Sequence, residues 1–220
     1  MIASLLIIAA VALQSSEITE PNTKVKFPTE LQAPSGGGQQ VLAGTGVRTR
    51  TMLKVKVYAF GLYVDAAGAR TALAAWRGKS AADLGRDASL YNELLKGGFP
   101  MTLRLVMTRD VGADQMSEAF NEALGPRVAQ AEQRGGGMTG GAEALTRFRG
   151  FFTDRLTKGT ELVFSRNGNT LKVSIGGKDA GEIDNGALAW ALFDVYLGDK
   201  PISENGKKTV VARLPEILGS

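Results

Sequence analysis

Arg48 and Tyr58 are the two residues whose types and spacing most directly suggest a binding site. Arg48 closes the segment GTGVR at residues 44–48, and Tyr58 lies where the alternating segment at residues 51–64 becomes fully apolar. If the two segments pair as strands, both side chains could project into one cavity. A guanidinium pairs with a carboxylate through two parallel hydrogen bonds, and a phenol adds a third donor. The pair therefore predicts a site for an anionic head group; a buried Tyr58 bonded to a backbone carbonyl is the alternative.

The alternation in residues 51–64 also predicts which side chains share a face of that strand. One face is predicted to hold Leu53, Val55 and Val57, and the other Lys54, Lys56 and Tyr58. Gly61, inside the strand, predicts a bulge or a close approach of another part of the chain.

The glycines of residues 44–48 exclude two kinds of nucleotide site. A dinucleotide fingerprint needs a third glycine and a following helix, whereas a strand pattern follows here. A phosphate loop needs a G-K-[ST] ending, which this segment lacks. The interpretation that remains is that the two glycines allow a bend or a tight approach of the backbone.

Paired carboxylates are the other arrangement that could do chemistry. Glu118 and Glu122 lie four residues apart on a predicted helix, a spacing that is also typical of a solvated helix face. Asp110 and Asp114 have the same spacing and are typical of residues at a helix start. We therefore predict no catalytic residues at these positions.

Composition excludes several mechanisms outright. The 220 residues contain no Cys and no His, which excludes disulfides, thiolate or imidazole metal sites and a Ser-His-Asp triad. The spacing of a calcium loop is absent as well, and we expect neither a metal nor a cofactor. The net charge of +4 is spread along the chain without a dense basic tract, so we expect no nucleic-acid partner.

The first 13 residues, MIASLLIIAAVAL, carry no charged side chain. This run is shorter than the roughly 20 apolar residues of a membrane-spanning helix, and Ala10-Val11-Ala12 has the small-x-small pattern of signal peptidase sites. We predict a signal peptide at residues 1–12, a mature chain without an integral membrane span, and a periplasmic or secreted location. Because no Lys or Arg precedes the run, a buried N-terminal segment is the alternative.

Periodicity predicts the elements that must position these residues. Strand patterns fall at residues 23–27, 51–64, 100–108, 161–164, 170–175 and 180–183. Helical patterns fall at residues 66–76, 80–95, 114–128, 142–156, 185–196 and 203–218, and Pro215 could break the last. Helices grouped between strands, without regular β-α-β alternation, predict an α+β fold with a mostly antiparallel sheet and a helical layer on one face. We expect one domain from about residue 20 to residue 220.

Several of these motifs, taken in chain order, resemble the chalcone isomerase family. They are GTGVR at 44–48, KVYAFGLYVD at 56–65, W-x-G-K at 76–79, DQMSEAFNEAL at 114–124, LFDVYLGDKPIS at 192–203 and RLPEIL at 213–218. The resemblance covers about residues 20–218. It implies an open-faced β-sandwich, in which helices cover a large antiparallel sheet and the ligand cleft lies between them.

The resemblance implies two possible functions. In the isomerases, which close a chalcone to a flavanone, the Arg of GVR orients the nucleophile while other polar side chains polarise the ketone. Arg48 matches that Arg, but the other polar positions fall on Tyr58, Met116, Ala123 and a position near Val195. In the fatty-acid-binding branch, the Arg and the Tyr of V-Y-A-F-G hold a carboxylate and the tail lies in an apolar tunnel.

This sequence resembles the binding branch more closely. The resemblance implies non-catalytic binding of a fatty acid or similar apolar anion, with chalcone isomerase-type catalysis as the alternative, and we expect a monomer. The implied ligand-binding residues are Arg48, Tyr58, Met116, Ala123 and Val195.

Overall fold

The largest element of the computed structural model, which describes residues 16–34, 38–50, 54–135 and 138–219, is a seven-stranded antiparallel sheet. A separate pair of strands, β1 (Glu17–Thr19) and β2 (Lys26–Pro28), precedes it. The sheet consists of β3 (Glu30–Gln32), β4 (Gln39–Arg50), β5 (Val55–Val64), β6 (Met101–Met107), β7 (Glu161–Asn167), β8 (Thr170–Ile175) and β9 (Lys178–Asp184), side by side in chain order. The predicted signal peptide at residues 1–12 and Leu53 lie outside the described residues.

Tight turns produce this order at the β7–β9 end of the sheet. Gly168 and Asn169 connect β7 to β8, and Gly176 and Gly177 connect β8 to β9. The three glycines have φ values of 59°, 58° and 79°, the left-handed region that two-residue hairpin turns require. These residues therefore form two hairpins that join β7, β8 and β9.

Helices cover one face of the sheet. They are α1 (Ala66–Ala72), a 3-10 turn (Ala74–Trp76), α2 (Ala81–Leu84), α3 (Ala88–Lys96), α4 (Ala113–Gln133), α5 (Gly141–Arg149), α6 (Gly186–Leu197) and α7 (Glu204–Leu218). Asn185 caps α6, because its side chain accepts a hydrogen bond from the amide of Leu188 at 2.9 Å. The predicted α+β fold, an antiparallel sheet with a helical layer, is confirmed.

The structure differs from the prediction at the end of one helix and at Pro215. The helix predicted over residues 142–156 ends at Arg149, since Leu156 forms an antiparallel bridge with Val111 instead. Pro215 does not interrupt α7, which continues to Leu218. Helix α7 packs along β4, and this packing offsets the one backbone hydrogen bond that the proline removes.

Gly44 and Gly46 allow α7 to lie against β4. A Cβ atom at Gly44 would come within 2.6 Å of the backbone nitrogen of Val210, and one at Gly46 within 2.8 Å of the Cα of Gly206. The Thr209 hydroxyl joins the two elements, since it donates to the carbonyl of Thr45 at 2.6 Å. The interpretation of these glycines as a tight backbone approach is confirmed.

Both faces of the sheet bury apolar side chains. The main core fills the space between the sheet and the helices. A smaller cluster lies on the opposite face, next to β1 and β2, and consists of Phe27, Leu42, Ala59, Tyr63 and Val106 with Ile18, Val25 and Leu31 against it. A Cβ atom at Gly61 would come within 2.7 Å of the Phe27 ring, which confirms the predicted close approach at this glycine.

Across residues 16–34, 38–50, 54–135 and 138–219, every helix is too short or too polar to pass through a lipid bilayer.

Candidate ligand-binding site

Strand pairing places Arg48 directly opposite Tyr58. The two residues are Cα partners in the antiparallel register of β4 and β5. Both line a cleft of about 500 Å³ that is bounded by these strands, by α4 and by α6. The structure thus brings the two residues into one cavity, and their binding of a ligand stays a prediction.

An extra residue in β5 changes the predicted alternation beside Tyr58. The register with β4 skips Val57, which lies between Tyr58 and Lys56 and has no partner. Such a bulge lets two successive residues oppose one residue of the neighbouring strand. Val57 therefore lines the cleft with Tyr58, whereas Lys56 donates a hydrogen bond to the carbonyl of Asn22 in the β1–β2 turn. The prediction that Lys56 and Tyr58 share a face is wrong for this reason.

Most of the apolar residues in the cleft wall come from α4 and α6. Met116 on α4 and Val195 on α6 are buried, and Ala123 on α4 is half-buried. All three line the same cleft as Arg48 and Tyr58. The rest of the apolar wall consists of Val55, Val57, Val111, Ala119, Phe120, Leu192 and Ile202.

Tyr196 is a polar residue of the cleft that the sequence analysis did not identify. Its hydroxyl lies 2.9 Å from that of Tyr58, in a buried hydrogen bond. Leu192, Val195 and Tyr196 all line the cleft, which is the i, i+3, i+4 pattern of one helix face. That pattern could have indicated Tyr196 once Val195 was assigned to the site.

Both phenols are held in their neutral form. Burial raises the pKa of Tyr58 above 10, although the Tyr196 hydrogen bond and the nearby Arg48 charge act in the opposite direction. Burial raises the pKa of Tyr196 well above 10, and its contact with Tyr58 raises it further. Near neutral pH the cleft therefore contains two O–H donors beside a guanidinium.

Arg48 is a half-buried cation without a carboxylate partner. Its guanidinium makes no hydrogen bond or ion pair within the part of the chain that the structure describes. The acidic residues at the rim of the cleft are each paired: Asp110 with Arg155 at 3.0 Å, Glu118 with Arg149 at 3.1 Å and Glu122 with Arg50 at 3.6 Å. Glu118 and Glu122 have exposed side chains, which confirms the solvated helix face and leaves Arg48 free to bind an anion.

Arg127 connects α4 and α6, the two helices that line the cleft. Its guanidinium donates to Asp194 on α6 at 2.9 Å, to the carbonyl of Ala123 at 2.8 Å and to the carbonyl of Lys200 at 2.7 Å. One half-buried side chain thus connects α4, α6 and the loop that follows α6.

No cluster of three or more acidic side chains with the geometry of a metal site occurs among residues 16–34, 38–50, 54–135 and 138–219. Among the described residues that line the cleft, Arg48 and the exposed Arg109 make no ion pair, while the three carboxylates lie at the rim in ion pairs. This donor set suits an anion better than a metal ion.

Fold and site together define an α+β protein of the open-faced sandwich type, with a guanidinium and two phenols in an apolar cleft between sheet and helices. A family model described as chalcone isomerase like matches residues 39–211. The chain belongs to this family.

Curated relatives include proteins with two different names. A chalcone–flavanone isomerase of Gentiana triflora is 27% identical over 218 residues, which cover 92% of this chain and 95% of that protein. Fatty-acid-binding protein 2 of Arabidopsis thaliana is 29% identical over 208 residues, which cover 90% of this chain and 51% of that protein.

A solved structure confirms the fold. The crystal structure of an Arabidopsis thaliana fatty-acid binding protein matches with a TM-score of 0.79 at 22% identity, covering 93% of this chain and 100% of that one. The expectation of a chalcone isomerase-like fold, drawn from the motifs, is therefore confirmed.

Proposed function

We propose that this protein binds a fatty acid or a similar apolar anion in the cleft and releases it chemically unchanged. The observation that carries the proposal is the placement of Arg48 opposite Tyr58 on an apolar cleft, with no carboxylate to neutralise the guanidinium among the described residues. Similarity to fatty-acid-binding protein 2 of Arabidopsis thaliana supports it.

The head group would be held by Arg48 and Tyr58. A carboxylate has two oxygens and can accept both parallel N–H groups of a guanidinium, while a phenolic O–H supplies a third bond. Charge-assisted bonds of this kind are strengthened in surroundings that exclude water. The bulged Val57 places a further apolar side chain next to this position.

The tail would lie along the wall formed by α4 and α6. Met116, Ala123 and Val195 offer no hydrogen-bonding side chain there, so an apolar chain can be buried without leaving a polar group unpaired. A cleft of about 500 Å³ falls within the range of about 300–1,000 Å³ found for small-molecule sites.

Titration calorimetry with dodecanoate tests the proposal. Arg48→Ala should weaken binding about ten- to hundredfold, because it removes a charge-assisted hydrogen-bonded pair. Arg48→Lys should restore only part of the affinity, since an ammonium lacks the planar fork. Arg86→Ala serves as the matched control, because Arg86 pairs with Asp83 on the surface and does not line the cleft. Unchanged affinity in Arg48→Ala, with the circular dichroism spectrum intact, would exclude this site.

Chalcone cyclisation is the second candidate, and one observation favours it. Tyr196 supplies a phenol beside Val195, so the cleft has one more donor able to polarise a carbonyl than the sequence comparison indicated. Against it, Met116 and Ala123 are apolar where the resemblance implies polar side chains, and losing one such donor typically costs about 10²–10³ in rate. Purified protein should not accelerate cyclisation appreciably above buffer; stereoselective turnover that disappears in Arg48→Ala would favour the isomerase.

A further inference from the structure

We infer that Tyr196 is a positioning residue whose hydroxyl donates a hydrogen bond to the Tyr58 oxygen. The Tyr58 O–H group is then directed into the cleft, toward the head group of the ligand. The inference rests on the proposed function, since it concerns the same head-group site. It adds an expectation about ligand specificity: of two ligands with the same alkyl chain, the site should bind the one with an anionic head group more tightly than the one with an uncharged head group.

Counting donors shows why the pair leaves one proton for a ligand. The two hydroxyls, 2.9 Å apart, share one hydrogen bond, in which either oxygen could be the donor. Whichever oxygen accepts keeps its own proton for a second partner. Within the described chain, neither hydroxyl has another hydrogen-bond partner, so this second proton is available to an occupant of the cleft.

The position of Arg48 decides the direction of the bond. Arg48 and Tyr58 are directly opposed across β4 and β5, so an anion held by the guanidinium lies next to the Tyr58 hydroxyl. A Tyr58 proton pointing at that anion is stabilised, and the Tyr58 oxygen must then accept from Tyr196.

The surroundings of Tyr196 hold its hydroxyl in place. Its ring is packed edge-on against Phe60, with centroids 4.8 Å apart and an angle of 66° between the planes. The residue is 2% exposed, so water cannot readily replace Tyr58 as its partner. A buried donor without a partner costs free energy, and this cost keeps the Tyr196 O–H group hydrogen-bonded to the Tyr58 oxygen.

A donor relay of this kind distinguishes head groups by chemistry. A carboxylate only accepts hydrogen bonds, so it matches both Arg48 and the outward Tyr58 proton. Two hydroxyls in sequence also polarise each other, which strengthens the bond to a charged acceptor. An alcohol of the same chain length leaves the Arg48 charge without a counter-charge, so it should gain little from the relay.

The experiment compares dodecanoate with 1-dodecanol in competition titrations against the wild type, Tyr196→Phe, Tyr58→Phe and the double variant. Tyr196→Phe should weaken dodecanoate about two- to tenfold and leave dodecanol nearly unchanged. In the Tyr58→Phe background, Tyr196→Phe should have almost no further effect, because the relay is already broken. Tyr91→Phe is the matched control, since Tyr91 is also buried but bonds to the carbonyl of Gly85, away from the cleft.

Each outcome separates the relay from its alternatives. Equal weakening by Tyr196→Phe in both Tyr58 backgrounds would overturn the inference and make Tyr196 a direct ligand contact. If Tyr196→Phe weakens the binding of dodecanoate and dodecanol equally, Tyr196 has a structural role. The same conclusion follows if it changes the near-ultraviolet circular dichroism of the free protein more than Tyr91→Phe does. A wild type that fails to bind dodecanoate would refute the proposed function, whereas normal binding unaffected by Tyr196→Phe would refute only this inference.

Discussion

Three polar side chains give the cleft its chemical character, and each depends on burial for its effect. Arg48 is a half-buried cation, and Tyr58 and Tyr196 are phenols removed from water. Burial disfavours the charged form of a phenol, so both stay protonated at pH values where an exposed tyrosine begins to ionise. As long as they are protonated, they remain donors beside the guanidinium.

Affinity for dodecanoate should therefore stay constant from neutral pH up to at least about pH 10, the ordinary pKa of a tyrosine. The sign follows from the raised pKa values: the protonated donor form persists to higher pH than in an exposed phenol. Calorimetry over a pH series, with buffers matched for ionisation heat, measures the profile, and a decline beginning near pH 8 would contradict it.

At the scale of elements, the contact between β4 and α7 sets the position of the strand that carries Arg48. Gly44 and Gly46 face the backbone of α7 at distances that leave no room for a side chain. The hydroxyl of Thr209 accepts from the amide of Thr45 at 3.1 Å and donates to its carbonyl at 2.6 Å. Arg48 lies two residues after Gly46, so the packing of α7 against β4 also sets the backbone position from which the Arg48 side chain extends.

Gly44→Ala should destabilise the protein by about 1–3 kcal/mol, because the added methyl meets the α7 backbone, which cannot move aside as a side chain could. Gly98→Ala is the control, because the atom nearest to its added Cβ is the Cβ of Ala72 at 3.8 Å, an ordinary van der Waals contact. Urea unfolding followed by circular dichroism gives both values. Equal stability of Gly44→Ala and the wild type would show that α7 can shift outward at little cost.

The elements differ in how far their sequences predict them. The alternation in β5 predicts the strand and the facing of Tyr58, but it misplaces Lys56, because nothing in a local pattern marks which residue a partner strand will skip. Helix α6 is buried on all sides, so its apolar periodicity cannot show which residues face the cleft. Tyr196 was missed for that reason. Arg48 and Tyr58 could be linked from the sequence since neighbouring strands in an antiparallel hairpin constrain one another.

On the scale of the whole molecule, the site lies where the two layers of the fold meet. The sheet supplies Arg48 and Tyr58, while the helices supply Met116, Ala123 and Tyr196. An antiparallel sheet whose strands follow chain order places β4, β5 and β6 next to one another, and the helical layer completes the cleft. Neither layer contains the site alone, so its affinity should depend on the folded whole.

Export stays a prediction that concerns the whole chain. Processing after Ala12 would give a mature protein that begins at Leu13, since Ala10 and Ala12 suit the small subsites of signal peptidase. N-terminal sequencing of protein recovered from the periplasm or medium of an expressing bacterium measures this. Recovery only from the cell interior, with Met1 retained, would contradict it, and an Ala12→Leu variant should accumulate as the unprocessed precursor.

The unpartnered Val57 has a consequence for how this cleft could vary. A bulged residue has no partner on the neighbouring strand, so it can be inserted or deleted without shifting the strand register on either side of it. Deletion of Val57 would leave Lys56 on the sheet face that carries β1 and β2, and Tyr58 on the face that lines the cleft. It would remove one isopropyl group from the cleft wall. Loss of Val57 would thus widen the cleft by one side chain, while the pairing of Arg48 with Tyr58 is preserved.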